Sequence, residues 1–354
     1  MPANTVERKA LTMLKSLQEW GKFLAKRVGL LLVSLMLVSM ITFAVTHFIG
    51  SPVYLLVGTR YTQQMMENMV KDLGLDKPLY VQYINYLENL AHGNLGTSRY
   101  SYNPVMQDIR SRLPATLELS TYALILGVLW AVPAGIVAGT RRNSFFARLT
   151  DLVARAGVSM PSFWLGLLLI FFFFAKLHWL PAPLGRIDRA FGKPPFVTGW
   201  YTIDTLLDGN RAAFVSSVKH LLLPALTLGI TTSPSTLQIA RNKTEEVMQS
   251  DYIRSARAFG LPNGTIRRYA LKNIMAPVIT MIAMTYGYLL SGTVLVEVIF
   301  TWPGLGLYAV DAMNHSDYEP IMGVVLLSAG FYLFVYLLAD VLNALIDPRV
   351  RASE

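Results

Sequence analysis

Residues 251–277 read DYIRSARAFGLPNGTIRRYALKNIMAP, a polar, basic stretch between two strongly apolar runs. Met248, Tyr252, Ala256 and Phe259 recur at helical spacing and form one apolar face. Glu246, Ser250, Arg254 and Arg257 fall on the opposite face. Gly260 stands where a helix C-terminus needs a residue that tolerates positive φ. Leu261-Pro262-Asn263-Gly264 reads as a turn, and a second helix is expected from near Thr265. The stretch is thus a helical hairpin, 244–273, shaped for a partner to grip.

The flanking composition sets the surroundings. The chain has 354 residues, 53% hydrophobic and 15% charged, with a mean hydropathy of +0.42. Soluble domains carry about 25% charged residues, so this is a membrane composition. The net charge of +9 matters through its placement, because basic residues gather on the cytoplasmic side of spans. No cysteine is present, which excludes disulfides, thiolate catalysis and Cys-based metal sites.

Six apolar runs follow in order. Residues 1–27 form a basic amphipathic leader. Met13, Leu17, Trp20 and Leu24 make its apolar face, suited to an anionic lipid surface. The first span is Val28–Ile49, about the 20 residues a bilayer core requires. Residues 50–115 form an outside subdomain with a helix near Tyr80–Leu90. Leu117–Thr140 is the second span and Ala156–Leu177 the third, with Pro161 inside it. His220–Ala240 is the fourth. Ile274–Phe300 is the fifth, in which Ala283, Gly287, Ser291 and Gly292 suit close packing. Ile321–Ile346 is the sixth, and 347–354 a cytoplasmic tail. Arg141-Arg142, the hairpin and Arg349 mark cytoplasmic segments. The expected fold is an all-α polytopic membrane protein with six spans and both termini cytoplasmic. The core, 116–346, contains the hairpin.

Candidate chemistry is sparse. His47, His92, His178, His220 and His315 show no ligand spacing, and structural or surface roles are expected. Glu118, Glu297 and Asp340 lie toward span ends, near water, where packing or terminal roles outweigh a proton relay. No G-x-x-x-x-G-K-[ST] phosphate loop occurs, so ATP is not expected to bind this chain. An Arg-rich helix-turn-helix could read DNA, but short tethers to two spans deny it the freedom to dock in a groove. No nucleic-acid partner is expected.

Longer motifs carry a resemblance. Asp251-Tyr252-Ile253-Arg254, Ala256-Arg257-Ala258 and Gly260, followed by Leu271, Asn273 and Pro277, fit D-Y-I-R-x-A-R-A-x-G…L-x-N-x-x-x-P. LGLDKPLYVQY (73–83), GNLGTS (93–98), RLPATLEL (112–119), MPSFW (160–164), LLLPALTLG (221–229), TWPGLG (301–306) and DPRVR (347–351) extend the match over most of the chain. The chain resembles inner-membrane permeases of binding-protein-dependent ABC importers, in the dipeptide/oligopeptide/nickel group, and specifically the first permease of a pair. Two outer motifs depart from that group's pattern. Pro-Gly-Asp-Pro is Ile49-Gly50-Ser51-Pro52 here, and Asp-Tyr-Pro is Asp317-Tyr318-Glu319-Pro320.

The resemblance implies a type I importer permease fold in a bacterial or archaeal inner membrane. It implies a second homologous permease, two ATPase subunits that hold ATP and magnesium, an external binding protein, and no cofactor in this chain. It also implies that Met248, Asp251, Tyr252, Arg254, Ser255, Ala256, Arg257, Phe259 and Gly260 meet an ATPase. The expected cargo is a peptide, with nickel chelates, opines or oligosaccharides as alternatives. A stand-alone ion-coupled carrier is the rival class, but it needs charge at mid-membrane depth.

Overall fold

The computed structural model describes the backbone of residues 3–49 and 76–346, and side chains over 18–45 and 76–345. Helices dominate. No sheet forms among the described residues, and one isolated bridge pairs Thr97 with Pro104.

Helix α1 runs unbroken over Ala3–Ile49, so the expected boundary between leader and first span is not a break in the helix. Gly21 and Gly29 lie inside it, and a glycine costs a helix only about 1 kcal/mol without stopping it. Met13 and Leu17 of the leader's apolar face have side chains outside the described residues, as does His47. Helix α2, Leu79–Ala91, is the helix expected in the outside loop. Its Tyr83 and Tyr86 rings stand 5.4 and 5.6 Å from Phe43 of α1, and the Tyr83 hydroxyl lies 2.9 Å from Ser39 Oγ.

Helix α3 spans Val105–Thr140 and begins well before the apolar run at Leu117. Helix α4, Phe145–Ser159, is capped by Ser144, whose side chain accepts from the Ala147 N–H. Helix α5, Ser162–Leu169, continues into a π-helical turn, Ile170–Lys176. Here the structure corrects the third span. Ala156–Leu177 is not one straight helix, because α4 and α5 meet at a bend of 106°. Pro161 causes it: proline disfavours the helical conformation of the residue before it, and Met160 is extended at φ −93°, ψ 116°. Pro133, Pro224 and Pro234 stay inside continuous helices.

A short helix α6, Tyr201–Leu207, precedes α7, Arg211–Gln249. Next come α8, Asp251–Ala258, and α9, Asn263–Gly292. After them are α10, Val294–Ile299; α11, Leu305–Asn314; and α12, Tyr318–Ile346. Among the described residues, five helices are long and apolar enough to cross a membrane: α1, α3, α7, α9 and α12. The bent α4–α5 pair raises the number to six if it counts as one span.

The closest helix pair is α3 with α7. A Cβ placed on Gly135 would lie 2.7 Å from the Leu237 carbonyl oxygen, and one on Gly139 2.6 Å from that of Arg241. A Cβ on Gly229 would lie 2.9 Å from the Ala123 oxygen. Small residues at four-residue spacing let backbones touch, which drives helix association where the surroundings are as apolar as the side chains. The sequence had suggested small-residue packing in the fifth span. There Gly287 does sit under the Tyr332 ring, but Ser291 and Gly292 are exposed.

Gly139→Leu is expected to destabilise the purified chain by about 1–3 kcal/mol through overpacking, read as a lowered unfolding temperature in detergent. Gly264→Ala, which meets nothing within 4 Å, should leave that temperature unchanged.

Candidate functional site: an outward-facing hairpin

The hairpin grows directly out of two long helices. Its first half is the end of α7 plus the short α8, and its second half is the first turns of α9. Ser250 separates α7 from α8. Its backbone is extended at ψ 152°, and its hydroxyl donates to the Val247 carbonyl at 2.5 Å. Serine competes for backbone groups in this way, which is why it favours helix ends over interiors.

This break corrects the expected apolar face. Met248 belongs to α7, whereas Tyr252 and Ala256 belong to α8 and Phe259 is its C-cap. The four do not form one stripe. Met248 and Ala256 turn inward and pack with Ala240, Val247, Ile266, Ala270 and Ile274. Tyr252 and Phe259 turn outward, and Phe259 is 84% exposed. The residue that fastens α8 is Ile253, fully buried in that same cluster. The sequence pattern does not single it out, because one inward residue on an eight-residue helix leaves no periodic signal.

Gly260 does end α8. It has φ +71°, and the closing bonds run from Gly260 N–H to Arg257 O (3.0 Å) and from Leu261 N–H to Ala256 O (3.1 Å). This is the Schellman arrangement. Leu261 then packs beside Ala256 in the anchoring cluster. Asn273 of α9 donates to the Tyr252 hydroxyl at 3.0 Å, tying the hairpin's halves together.

The outer face of α8 therefore presents Asp251, Tyr252, Arg254, Ser255, Arg257 and Phe259 to solvent. Asp251 and Arg254 stand 3.8 Å apart and are both exposed, so that pair contributes little. Arg267, Arg268 and Lys272 are exposed nearby. Among the described residues no salt bridge involves them or Arg257. The arrangement is a rigid basic surface with two projecting aromatics, suited to holding a partner rather than to bond chemistry. Arg142–Glu245 (2.7 Å) and Arg241–Asp151 link the turn after α3, and helix α4, to the hairpin end of α7.

At the opposite end of the molecule the acidic residues are not near water. Glu118 and Glu297 are fully buried. Glu118 pairs with Arg186 and accepts from the Thr202 N–H and hydroxyl at 2.9 and 2.7 Å. Arg186 also lies over the Tyr201 ring at 3.8 Å. Glu297 accepts from Thr116 and Thr293 at 2.7 and 3.0 Å and from the Leu307 N–H at 3.0 Å. It thereby serves the open N-terminus of α11. Asp108 accepts from Ser101, Asn103 and Tyr308. Burial, then the Asp108 anion, raise the pKa of the Tyr308 phenol, which stays a donor. Asp317 gathers the Ser98 hydroxyl and the Arg99 and Tyr100 N–H groups. On the hairpin side, Asp340 of α12 pairs with Arg27 of α1 at 3.0 Å. Asp340 ties α1 to α12, and each of the other carboxylates positions a loop or helix end. The partners of Glu118 and the Thr116 partner of Glu297 are distant in sequence, so spacing could not reveal them. The ring nitrogens of His92, His220 and His315 lie 2.7–2.8 Å from carbonyls of their own helices.

Ile253→Ala is expected to cost about 2–5 kcal/mol locally, the usual loss for a buried isoleucine. Hydrogen exchange should then speed up at amides 251–261 and not along α3. Arg186→Met alone should destabilise the fold by about 3–5 kcal/mol by stranding Glu118. The double variant Glu118→Gln with Arg186→Met should recover most of that loss in thermal unfolding.

Two family models match the chain. One, described as "Binding-protein-dependent transport system inner membrane component", covers residues 131–352. The other, the N-terminal model of such membrane components, covers residues 21–120. Similar proteins include the probable D,D-dipeptide transport system permease protein DdpB of Escherichia coli. It is 42% identical over 315 residues, covering 88% of this chain and 92% of that protein. The di/tripeptide transport system permease protein DppB of Pseudomonas aeruginosa is 40% identical over 332 residues, covering 93% and 98%. The glutathione transport system permease protein GsiC of Escherichia coli is 34% identical over 331 residues, covering 93% and 98%. With both family models matched and relatives aligned along nearly the whole chain, this protein belongs to the family of binding-protein-dependent transport system inner membrane components.

Proposed function

We propose that this chain is one permease subunit of a peptide importer, coupled through its hairpin to separate ATPase subunits. The observation that carries the coupling reading is the build of α8. It is anchored by Ile253, stopped by Gly260 and left with an exposed basic, aromatic face. Peptide cargo is supported by the relatives, which are named as D,D-dipeptide, di/tripeptide and glutathione transport permeases. The stand-alone carrier reading has no observation in its favour.

In this reading the chain crosses the inner membrane six times, with the α4–α5 pair as one bent span and both termini in the cytoplasm. A second homologous permease completes the pathway, and an external binding protein delivers the peptide. Two ATPase subunits bind ATP with magnesium and hydrolyse it. Arg254 and Arg257 make charge-assisted bonds to an ATPase groove, while Tyr252 and Phe259 bury their rings in it.

The mechanics follow from continuity. Helix α7 has 39 residues, so at 1.5 Å per residue it is a lever about 60 Å long. The hairpin is its end, and α9 begins inside the hairpin's second half. Displacing α8 therefore moves both helices as packed bodies. ATP that binds the closed ATPase dimer more tightly than the open one shifts the permease toward the state that dimer holds.

Gly260→Asp tests this reading. A non-glycine residue at φ +71° costs about 1–2 kcal/mol, and the new carboxylate enters the docking surface. Peptide uptake by the reconstituted assembly should fall to background. Normal uptake by this variant, with ATPase subunits still co-purifying, would refute the coupling role. The chain purified alone should show no ATP turnover.

A further inference from the structure

In most of the spanning helices the exposed face is apolar. On α1 it is Leu32, Met36 and Ile41, and on α12 it is Phe334, Leu338 and Leu342. Helix α7 differs. Over its lower half Ser235, Gln238 and Asn242 are exposed and Thr231 is half-exposed. At 3.6 residues per turn these four fall within an arc of about 60°. Ser235, Gln238 and Asn242 make no hydrogen bond among the described residues. Thr231 donates to the Thr227 carbonyl at 2.9 Å.

The neighbours of this arc are fixed by contacts. Leu237, Ala240 and Arg241 face α3, as the close approach of Gly135 and Gly139 requires. Pro234 meets Gly157 of α4 on one side, and Thr236 meets Thr285 of α9 at 3.4 Å on the other. The polar arc lies between α4 and α9, on the side away from α3. Helix α9 continues the surface with Met284 and Tyr288, the latter 61% exposed. Toward the end remote from the hairpin the arc is closed. There Thr227 and Leu228 are buried, and α5 packs through Gly166 against Thr227 and Phe300.

Asn242, beside Arg241 and Lys243, lies at the span's end, but an unpaired Gln238 amide facing lipid is costly, and polar groups at membrane depth face a cavity or a partner. A dry helix contact in this protein uses small residues, as between α3 and α7. The arc and the adjoining face of α9 instead carry two long amides, a tyrosine and a methionine. We infer that the face of α7 bearing Thr231, Ser235, Gln238 and Asn242 lines the water-filled route of the cargo, and that these groups contact the peptide main chain.

The chemistry fits that ligand. Asn and Gln amides both donate and accept, as peptide groups do, and none of the four residues is charged, so cargo charge is not trapped. Met284 and Tyr288 add adaptable apolar contact for varied side chains. The inference rests on the importer reading and says which residues meet its cargo.

The chain has no native cysteine, which makes the test direct. Ser235→Cys, Gln238→Cys and Asn242→Cys, with Val325→Cys and Leu342→Cys on α12 as controls, are placed singly in the assembled importer. The probe is a membrane-impermeant methanethiosulfonate, and the mass shift of this chain is followed. Reaction needs the hydrated thiolate, so the α7 positions should label at least about tenfold faster than the controls. A saturating dipeptide-loaded binding protein with ATP should change those rates. Gln238→Leu should lower peptide uptake about fivefold, the loss of one hydrogen bond, with ATPase subunits still co-purifying. Labelling no faster than the α12 controls, in an assembly that imports peptide normally, would overturn this inference and leave the importer reading standing. It would mean that the arc packs dry against the second permease. Absence of ATP-driven uptake by the unsubstituted assembly would overturn both.

Discussion

Helices α3 and α7 approach until backbone meets backbone, because Gly135 and Gly139 on one helix face the main chain of the other. In an apolar solvent hydrophobic burial does not hold helices together, so van der Waals contact must. This seam fixes the rotation of α7. Once Leu237, Ala240 and Arg241 face α3, Pro234 must meet the bent α4–α5 pair and Thr236 must meet α9. The same rotation sets which side chains are left to face outward. The continuity of α7 into the hairpin then carries that orientation to the end of the molecule.

The two ends are built differently. The end remote from the hairpin is held by buried carboxylates. Glu118, Glu297 and Asp317 each accept at least three hydrogen bonds from loops and helix starts. Such networks are costly when partly satisfied and rigid when complete. The hairpin keeps its charges outside, together with Tyr252 and Phe259, and buries Ile253, Ile266 and Ala270. Ile253, the glycine stop with Leu261 packed behind it, and the Asn273–Tyr252 hydrogen bond hold α8 in place. A rigid small element with unpaired arginines is suited to transmitting force from a partner, because the strain passes into α7 and α9 rather than into a loose loop.

Much of this was legible in the sequence, for physical reasons that differ by element. The spans were legible because a bilayer core demands long apolar runs. Gly260 was legible because few residues tolerate its backbone conformation, and the hairpin because a basic helix-turn-helix between spans is unusual. The break at Ser250 was not, since Met248, Tyr252, Ala256 and Phe259 satisfy helical periodicity whether or not one helix carries them. The bend at Pro161 was visible as a proline but not as a turn of 106°, because Pro133, Pro224 and Pro234 sit in unbroken helices. The burial of Glu118 and Glu297 was hidden too. Their partners, Arg186 and Thr116, are far away in sequence, and only the packed loops bring them together.

In the function proposed above, a separate ATPase takes hold of the outer face of α8. Ser255 lies on that face, is exposed and is small, so Ser255→Cys places one thiol in a chain that has no other. The direct measurement is its labelling by a soluble maleimide in membranes, with and without the co-expressed ATPase subunits. The account predicts fast labelling of the permease alone and strong protection once the ATPases assemble. Equal labelling in both, with the ATPases demonstrably bound, would contradict it.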